Sequence, residues 1–222
     1  MSRCPRIALL TLAGLLWLVG TVHSEEPDES GFAPLVTDAE LTGWHGATEN
    51  YQYKDGVLQC RPTKGGNIYT DTDYVDFVLR FDFRLTPAGN NGIGLRVPNN
   101  GRASIDGMEI QILDDGHEKY KKLKPYQYHG SVYGVIPAKR DCLKSTGAWN
   151  SQEIRLVGSR ITVICNGKTI VDGDLKEASK DGTLDEKDHP GLSRTSGRLC
   201  LCTHGSHVDF RNMRIKRLAA AE

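Results

Sequence analysis

The sequence has no block of basic residues, no CxxC pair, no internal repeat and no stretch that sustains a helical period. Each absence removes a class of protein. Without a basic stripe interleaved with aromatics, a nucleic-acid surface is not expected, and the 28 basic and 28 acidic residues cancel. Without CxxC, and with histidines at irregular spacing, a structural zinc site is not expected. Without a break in composition, 222 residues form one domain large enough for a full core. No apolar run after Val22 is long enough to cross a bilayer, so no stable membrane insertion is expected once the N-terminal segment is removed.

That N-terminal segment, residues 1–24, reads as a signal peptide. Arg3 and Arg6 precede the apolar run from Ile7 to Val22, and Val22-His-Ser24 places modest residues before Glu25. The apolar core, about 16 residues, is short for a bilayer span. No cysteine follows Leu12-Ala-Gly14, so a lipid anchor is not indicated. The expectation is export to the periplasm or the extracellular space, with an acidic leader at 25–30 and one domain over 31–218. The exported chain keeps Cys60, Cys142, Cys165, Cys200 and Cys202, an odd set, so at least one thiol is unpaired or bridges chains. Most are expected to act as small buried hydrophobes. Cys200 and Cys202, two apart on one strand face, are not expected to pair with each other.

What is present is strand pattern. From Tyr74 to Leu85, Val75, Phe77, Leu79, Phe81, Phe83 and Leu85 share one face, with Asp76, Arg80, Asp82 and Arg84 opposite as a solvated face or a cross-strand charge ladder. Residues 152–172 read as a three-stranded meander closed by the hairpin signal Asn166-Gly167. Ser131 to Val135 reads as a strand, and Asp71 and Asp73 as a solvated turn. The last strand, from Val208, keeps Met213 and Ile215 in a core only if a bulge sits near Arg211-Asn212. The charges from Lys180 to Asp188 read as a solvated surface. Roughly ten to twelve short strands imply an all-β fold, a two-sheet antiparallel β-sandwich.

The chain is organised around Gly107-Met-Glu-Ile-Gln-Ile-Leu-Asp-Asp115. Met108, Ile110 and Ile112 alternate with Glu109 and Gln111, so one face enters a core while the other carries a carboxylate beside an amide. A polar outer face of no consequence is the plain alternative. Two flanking stretches favour a site: Arg96 lies on the strand before, and His129 and Tyr133 on the stretch after. If Arg96, Glu109, Gln111, His129 and Tyr133 converge on a concave surface, they compose a sugar-handling cleft. The lysine-rich loop from Asp114 to Tyr128 should rim it. His204 could sit at its mouth, and a surface turn is the alternative.

Seven motifs in order carry a resemblance. They are Gly31-Phe with Leu41-Thr-Gly-Trp44, Asn91-Gly-Ile-Gly-Leu-Arg96, Gly107 to Asp114, His129-Gly-Ser-Val-Tyr133, Trp149-Asn150, His189-Pro-Gly-Leu192, and His204-Gly with Val208 to Ile215. The set resembles the 3-keto-disaccharide hydrolase domain family, over essentially the whole expected domain. The resemblance implies a concanavalin A-like jelly roll. It also implies cleavage of a glycoside oxidised at C3, in which a base removes the acidified C2 proton, the C1 substituent leaves and water adds back. On that basis Glu109, His129 and His204 are the candidate catalytic residues. Arg96, Gln111, Tyr133 and Asp114 are the candidate substrate-binding residues, with Arg96 as oxyanion stabiliser. No cofactor and no metal ligand are assigned, and a bound divalent cation is left open. The expected partner is an oxidised sugar. An ordinary two-carboxylate glycosidase, pairing Glu109 with Asp114 across a bulge, ranks below this. A non-catalytic, lectin-like module is the alternative from another class. The sequence departs from the family's pattern where Cys202 replaces a usual Gln and Thr203 a common Asp.

Overall fold

Period-two alternation becomes strand almost wherever the sequence sustains it. The computed structural model describes residues 28–61 and 66–219, and the signal-peptide expectation lies outside the described residues. Its strands are β1 (Ala33–Pro34), β2 (Trp44–Gly46), β3 (Tyr51–Lys54), β4 (Val57–Cys60), β5 (Ile68–Tyr74), β6 (Phe77–Leu85), β7 (Asn90–Val97), β8 (Met108–Leu113), β9 (Trp149–Val157), β10 (Arg160–Cys165), β11 (Lys168–Asp174), β12 (Gly197–Leu201) and β13 (Val208–Arg217). Two antiparallel sheets result. The larger runs β11-β10-β9-β6-β13-β4-β3, with β1 also on β13; the smaller runs β2-β5-β12-β7-β8. This is the two-sheet sandwich that the alternation implied, and the jelly roll that the resemblance implied.

The sheets close over one apolar layer. Phe77, Phe81 and Phe83 of β6 and Phe210 of β13 are fully buried, with Ile93, Leu95, Ile110 and Ile112 from the smaller sheet. Each such side chain contributes roughly 1.5–3 kcal/mol. The opposite face of β6 is a charge ladder: Arg80 with Glu153 at 2.7 Å, Arg84 with Asp209 at 2.6 Å, Arg211 with Asp82 at 3.0 Å. Arg84 and Arg211 also stack on the Trp149 ring. Residues 31–46 strap the domain through Leu35, Leu41 and Trp44, whose indole donates to the Leu35 carbonyl at 2.7 Å. Trp44 is therefore a packing residue.

The Asn166-Gly167 turn has φ of 48° and 78°, the left-handed pair a two-residue hairpin needs. The bulge in β13 falls between Arg211 and Arg214, with Asn212 at φ 53°, and it returns Met213 and Ile215 to the core.

Four local expectations are corrected. The run from Tyr74 is not one strand: it bends at Val75-Asp76, leaving Val75 half exposed and Asp76 buried. Asp71 and Asp73 lie within β5, not in a turn. Residues 131–135 make only isolated bridges, Val132 to Ile110 and to Ile136, because Gly130 and Gly134 take φ of 79° and 77° and interrupt the extended path. Among the described residues two short α-helices occur, α1 (Ala103–Asp106) and α2 (Leu175–Ser179); the Asp174 carboxylate caps α2 by accepting the Lys176 and Glu177 amides.

Candidate active site

β7 and β8 position the centre of the site. Their register is regular, with Gly94 opposite Glu109 and Gly92 opposite Gln111. All six residues of β8 are buried: Met108, Ile110 and Ile112 in the core, Glu109, Gln111 and Leu113 under loops on the other face. The covering segment hydrogen-bonds along the free edge of β8. Gly130 donates to the Gln111 carbonyl, the Gln111 amide to Ser131, and Tyr133 to the Glu109 carbonyl. A cleft of about 570 Å³ remains between sheet and loops, lined by Glu109, Gln111, Tyr133, His204, Asn90 and Asp185, with Arg102 and Lys187 also on its wall. Tyr120, Leu123 and Gln127 supply its rim, so the 114–128 loop does border the cleft.

Glu109 can lean over β7 only because position 92 is glycine. A Cβ there would lie 2.0 Å from Glu109 Oε1. The carboxylate reaches His204, whose Nε2 is 3.4 Å from Oε1. Hydrogen bonding to Glu109 raises the His204 pKa above its ordinary value, opposed by burial. The pair therefore contributes stability in full below about pH 6.5, the unfolded value, and loses it as the pH rises through the raised pKa. Titration followed by NMR should place His204 above about 6.5, and Glu109→Gln should bring it back towards that figure. Gly92→Ala should act on the same pair. By displacing the carboxylate it should lower the His204 pKa and cost activity on the order of 10²-fold, with the unfolding midpoint within a few degrees of the parent. An unchanged His204 titration in that variant would show that Glu109 does not depend on the space at position 92.

Three acceptor oxygens in this cleft are buried without a partner: Asn90 Oδ1, Gln111 Oε1 and Asp185 Oδ2. Asp185 was not anticipated, because its charge-rich neighbourhood reads as solvated surface. In the folded chain its side chain is 5% exposed. Its Oδ1 takes hydrogen bonds from His189 Nε2 at 2.8 Å and the Thr183 hydroxyl at 3.1 Å. Burial pushes its pKa up, but the bonds from His189 and Thr183 outweigh burial and hold the carboxyl below its ordinary value. The loop docks through the Leu184 and Asp185 amides on the Gly134 carbonyl, where glycine leaves room for the carboxylate. The signal in the sequence was Asp185 four residues before the His189-Pro-Gly motif.

Of the residues named from sequence, Glu109, Gln111, Tyr133 and His204 come together; Arg96, His129 and Asp114 do not join them. Arg96 adopts φ 49°, which turns its side chain out of the alternation of β7. The guanidinium is buried against Asp76 at 3.0 Å and donates to the carbonyls of Val75, Gly158 and Arg194. His129 lies beyond the Gly130 reversal, stacked 5.0 Å from Phe83, with Nδ1 accepting the Leu113 amide. Asp114 shares the parity of Ile110 and Ile112, and no bulge intervenes to turn it towards Glu109. It accepts the Ala88 amide and the Thr146 hydroxyl instead. The departures at Cys202 and Thr203 lie beneath the His204 turn, not in the cleft. Cys202 is sealed with its sulfur 3.6 Å from that of Cys200, closer than their strand spacing suggested, and Thr203 accepts from the Cys60 thiol. The Cys200 hydrogen bond and burial raise the Cys202 pKa well above its ordinary value, so it stays a thiol.

A jelly roll whose smaller sheet presents a buried carboxylate and unpartnered acceptors to a cleft defines the class: a sandwich of the carbohydrate-active kind. The chain belongs to the 3-keto-alpha-glucoside-1,2-lyase-like domain family, which it matches over residues 31–216. A candidate glycosyl hydrolase from Parabacteroides distasonis is 32% identical, with a TM-score of 0.75 over 84% of this chain and 99% of that one. A second from the same organism is 25% identical, with a TM-score of 0.73 over 85% and 95%. The carbohydrate-binding module CBM66 from Bacillus subtilis, 13% identical at a TM-score of 0.53 over 79% and 96%, shares the fold alone. No curated protein matches the chain.

Proposed function

We propose that the protein is an exported enzyme that cleaves 3-keto-glycosides, with Glu109 and His204 as its acid–base pair. The observation that carries this reading is the set of three unpartnered acceptors in the cleft that also holds that pair. Buried acceptors without donors call for a ligand rich in hydroxyl groups, as a sugar is. The family match supports the oxidised sugar as substrate.

The ketone at C3 acidifies the C2 hydrogen. Glu109 takes that proton, giving an enolate, and the C1–O bond breaks as electrons return. His204, whose pKa the hydrogen bond to Glu109 raises, gives a proton to the departing oxygen. Water then adds to the unsaturated sugar, so the net change is hydrolysis. Arg96 cannot act as oxyanion stabiliser from its buried position. The Tyr133 hydroxyl and the cations Arg102 and Lys187 on the cleft wall take that role here. Gln111, Asn90 and Asp185 accept from the hydroxyls and fix the ring.

A second reading follows from Asp185. An ordinary glycosidase needs two carboxylates, and the cleft pairs Glu109 with Asp185 rather than with Asp114. Incubation with a 3-keto disaccharide and with its unoxidised parent, products followed by mass spectrometry, decides. Cleavage of the keto substrate alone supports the proposal, cleavage of the parent supports the glycosidase, and binding without turnover supports a lectin-like module.

Export rests on the N-terminal pattern of Arg3, Arg6 and the apolar run. N-terminal sequencing of protein from the native cell envelope should begin near Glu25, and a retained Met1 would overturn it.

A further inference from the structure

A second cavity, of about 680 Å³, lies away from the cleft, and Leu85, Asp114, His129, Arg140, Cys142 and Lys144 are among its walls. Behind it, one ring nitrogen of His129 and the sulfurs of Cys142 and Cys165 all lie within 4.8 Å of one another. The three come from separate segments: the stretch after β8, the 139–147 loop and the end of β10. All three residues are buried, and His129 Nε2 has no hydrogen-bond partner.

Two chemistries suit such a cluster, a soft metal ion or a thiol pair. The imidazole decides between them. Nδ1 accepts the Leu113 amide at 3.3 Å, so its lone pair is engaged and the ring proton sits on Nε2. In that tautomer the ring has no free lone pair for a metal; it has an N–H to offer a thiolate. The sulfurs are placed accordingly. Cys142 opens on the cavity, while Cys165 is fully buried behind it.

We propose that Cys142 and Cys165 are a redox-active thiol pair that closes to a disulfide by exchange with a small-molecule disulfide entering this cavity. The Cys142 thiolate attacks one sulfur of the incoming disulfide, whose S–S bond breaks and whose other half leaves as a thiol. Cys165 then attacks the Cys142 sulfur of the mixed disulfide and releases the second thiol. The protein loses two electrons, and the small disulfide is reduced to two thiols. The Cys142 thiol is suited to the first attack. The hydrogen bond from Cys165, with the His129 ring nearby, holds its pKa below the ordinary thiol value against the cost of burial, while the same coupling raises that of Cys165. The Cys200 and Cys202 pair is no rival, since both are sealed in a cluster with Tyr69, Val97 and Ala103. The new bond would tie the 139–147 loop to the end of β10.

The test uses the purified, reduced full chain and oxidised glutathione, followed by alkylation after denaturation and peptide mapping. A Cys142–Cys165 link should form while Cys60 remains alkylatable, and the unfolding midpoint should rise by roughly 5–10 °C. Cys165→Ser should stop at a mixed disulfide on Cys142. In the unsubstituted protein, where folding is not in question, native iodoacetamide labelling of Cys142 should persist at about pH 6, where an ordinary thiol is nearly silent. Oxidation confined to Cys200 and Cys202, a Cys142 that neither exchanges nor labels, or zinc held stoichiometrically by both thiols would each overturn the proposal.

Discussion

Glu109→Gln is expected to lose 3-keto-disaccharide cleavage by a factor on the order of 10²–10⁴, because an amide cannot take up the C2 proton. The side chain is buried beside Gln111 and faces His204, and glutamine fills the same volume and can still accept from the imidazole. The unfolding midpoint should therefore shift by no more than a few degrees. Exchange of the C2 hydrogen in deuterated water, read by NMR, resolves the role further. If Glu109 removes that proton, exchange and cleavage disappear together. If it only supports proton delivery to the leaving group, exchange survives while cleavage is lost. Full activity in the variant would refute the assignment, and Asp185, the other buried carboxylate in the cleft, would become the base.

Arg96→Met is expected to destabilise the fold by about 3–5 kcal/mol, the cost of breaking a buried ion pair from one side. Asp76 would keep only the Gly158 amide, and the carbonyls of Val75, Gly158 and Arg194 would each lose a donor. For a domain of this size that corresponds to a fall of roughly 6–20 °C in the unfolding midpoint. The double variant Arg96→Met with Asp76→Asn should recover part of the loss, since it removes the stranded charge. Denaturant titration of both variants beside the parent checks this. Were Arg96 instead a substrate ligand, its loss would cut turnover and leave the midpoint in place.

These two residues show how the site was and was not legible. Glu109 follows from parity: on a strand whose even positions are Met108, Ile110 and Ile112, an odd carboxylate must leave the core. Parity would also have removed Asp114, an even residue, had no bulge been invoked for it. Arg96 by the same rule belongs with the cleft, and the rule fails because one left-handed residue in β7 resets the alternation. His129 fails for the same reason one segment later, through Gly130. Gly92 and Asp185 went unread. The use of Gly92 is to have no side chain where Glu109 needs space, and Asp185 is buried by a loop whose own composition is that of solvent-exposed chain.

The sequence by itself determined the two-sheet sandwich, the core faces of β6 and β8, the Asn166-Gly167 hairpin and the bulge in β13. These depend on residues one to four apart, where backbone sterics and period-two patterning act. Only the tertiary structure decided which polar groups meet. Arg96 closes on Asp76, Cys142 on Cys165 and His129, and Asp185 turns into the cleft of Glu109 through the packing of segments far apart in the chain. Such meetings turn on single φ values and on the space left by individual glycines, which the local pattern of apolar and polar residues does not encode.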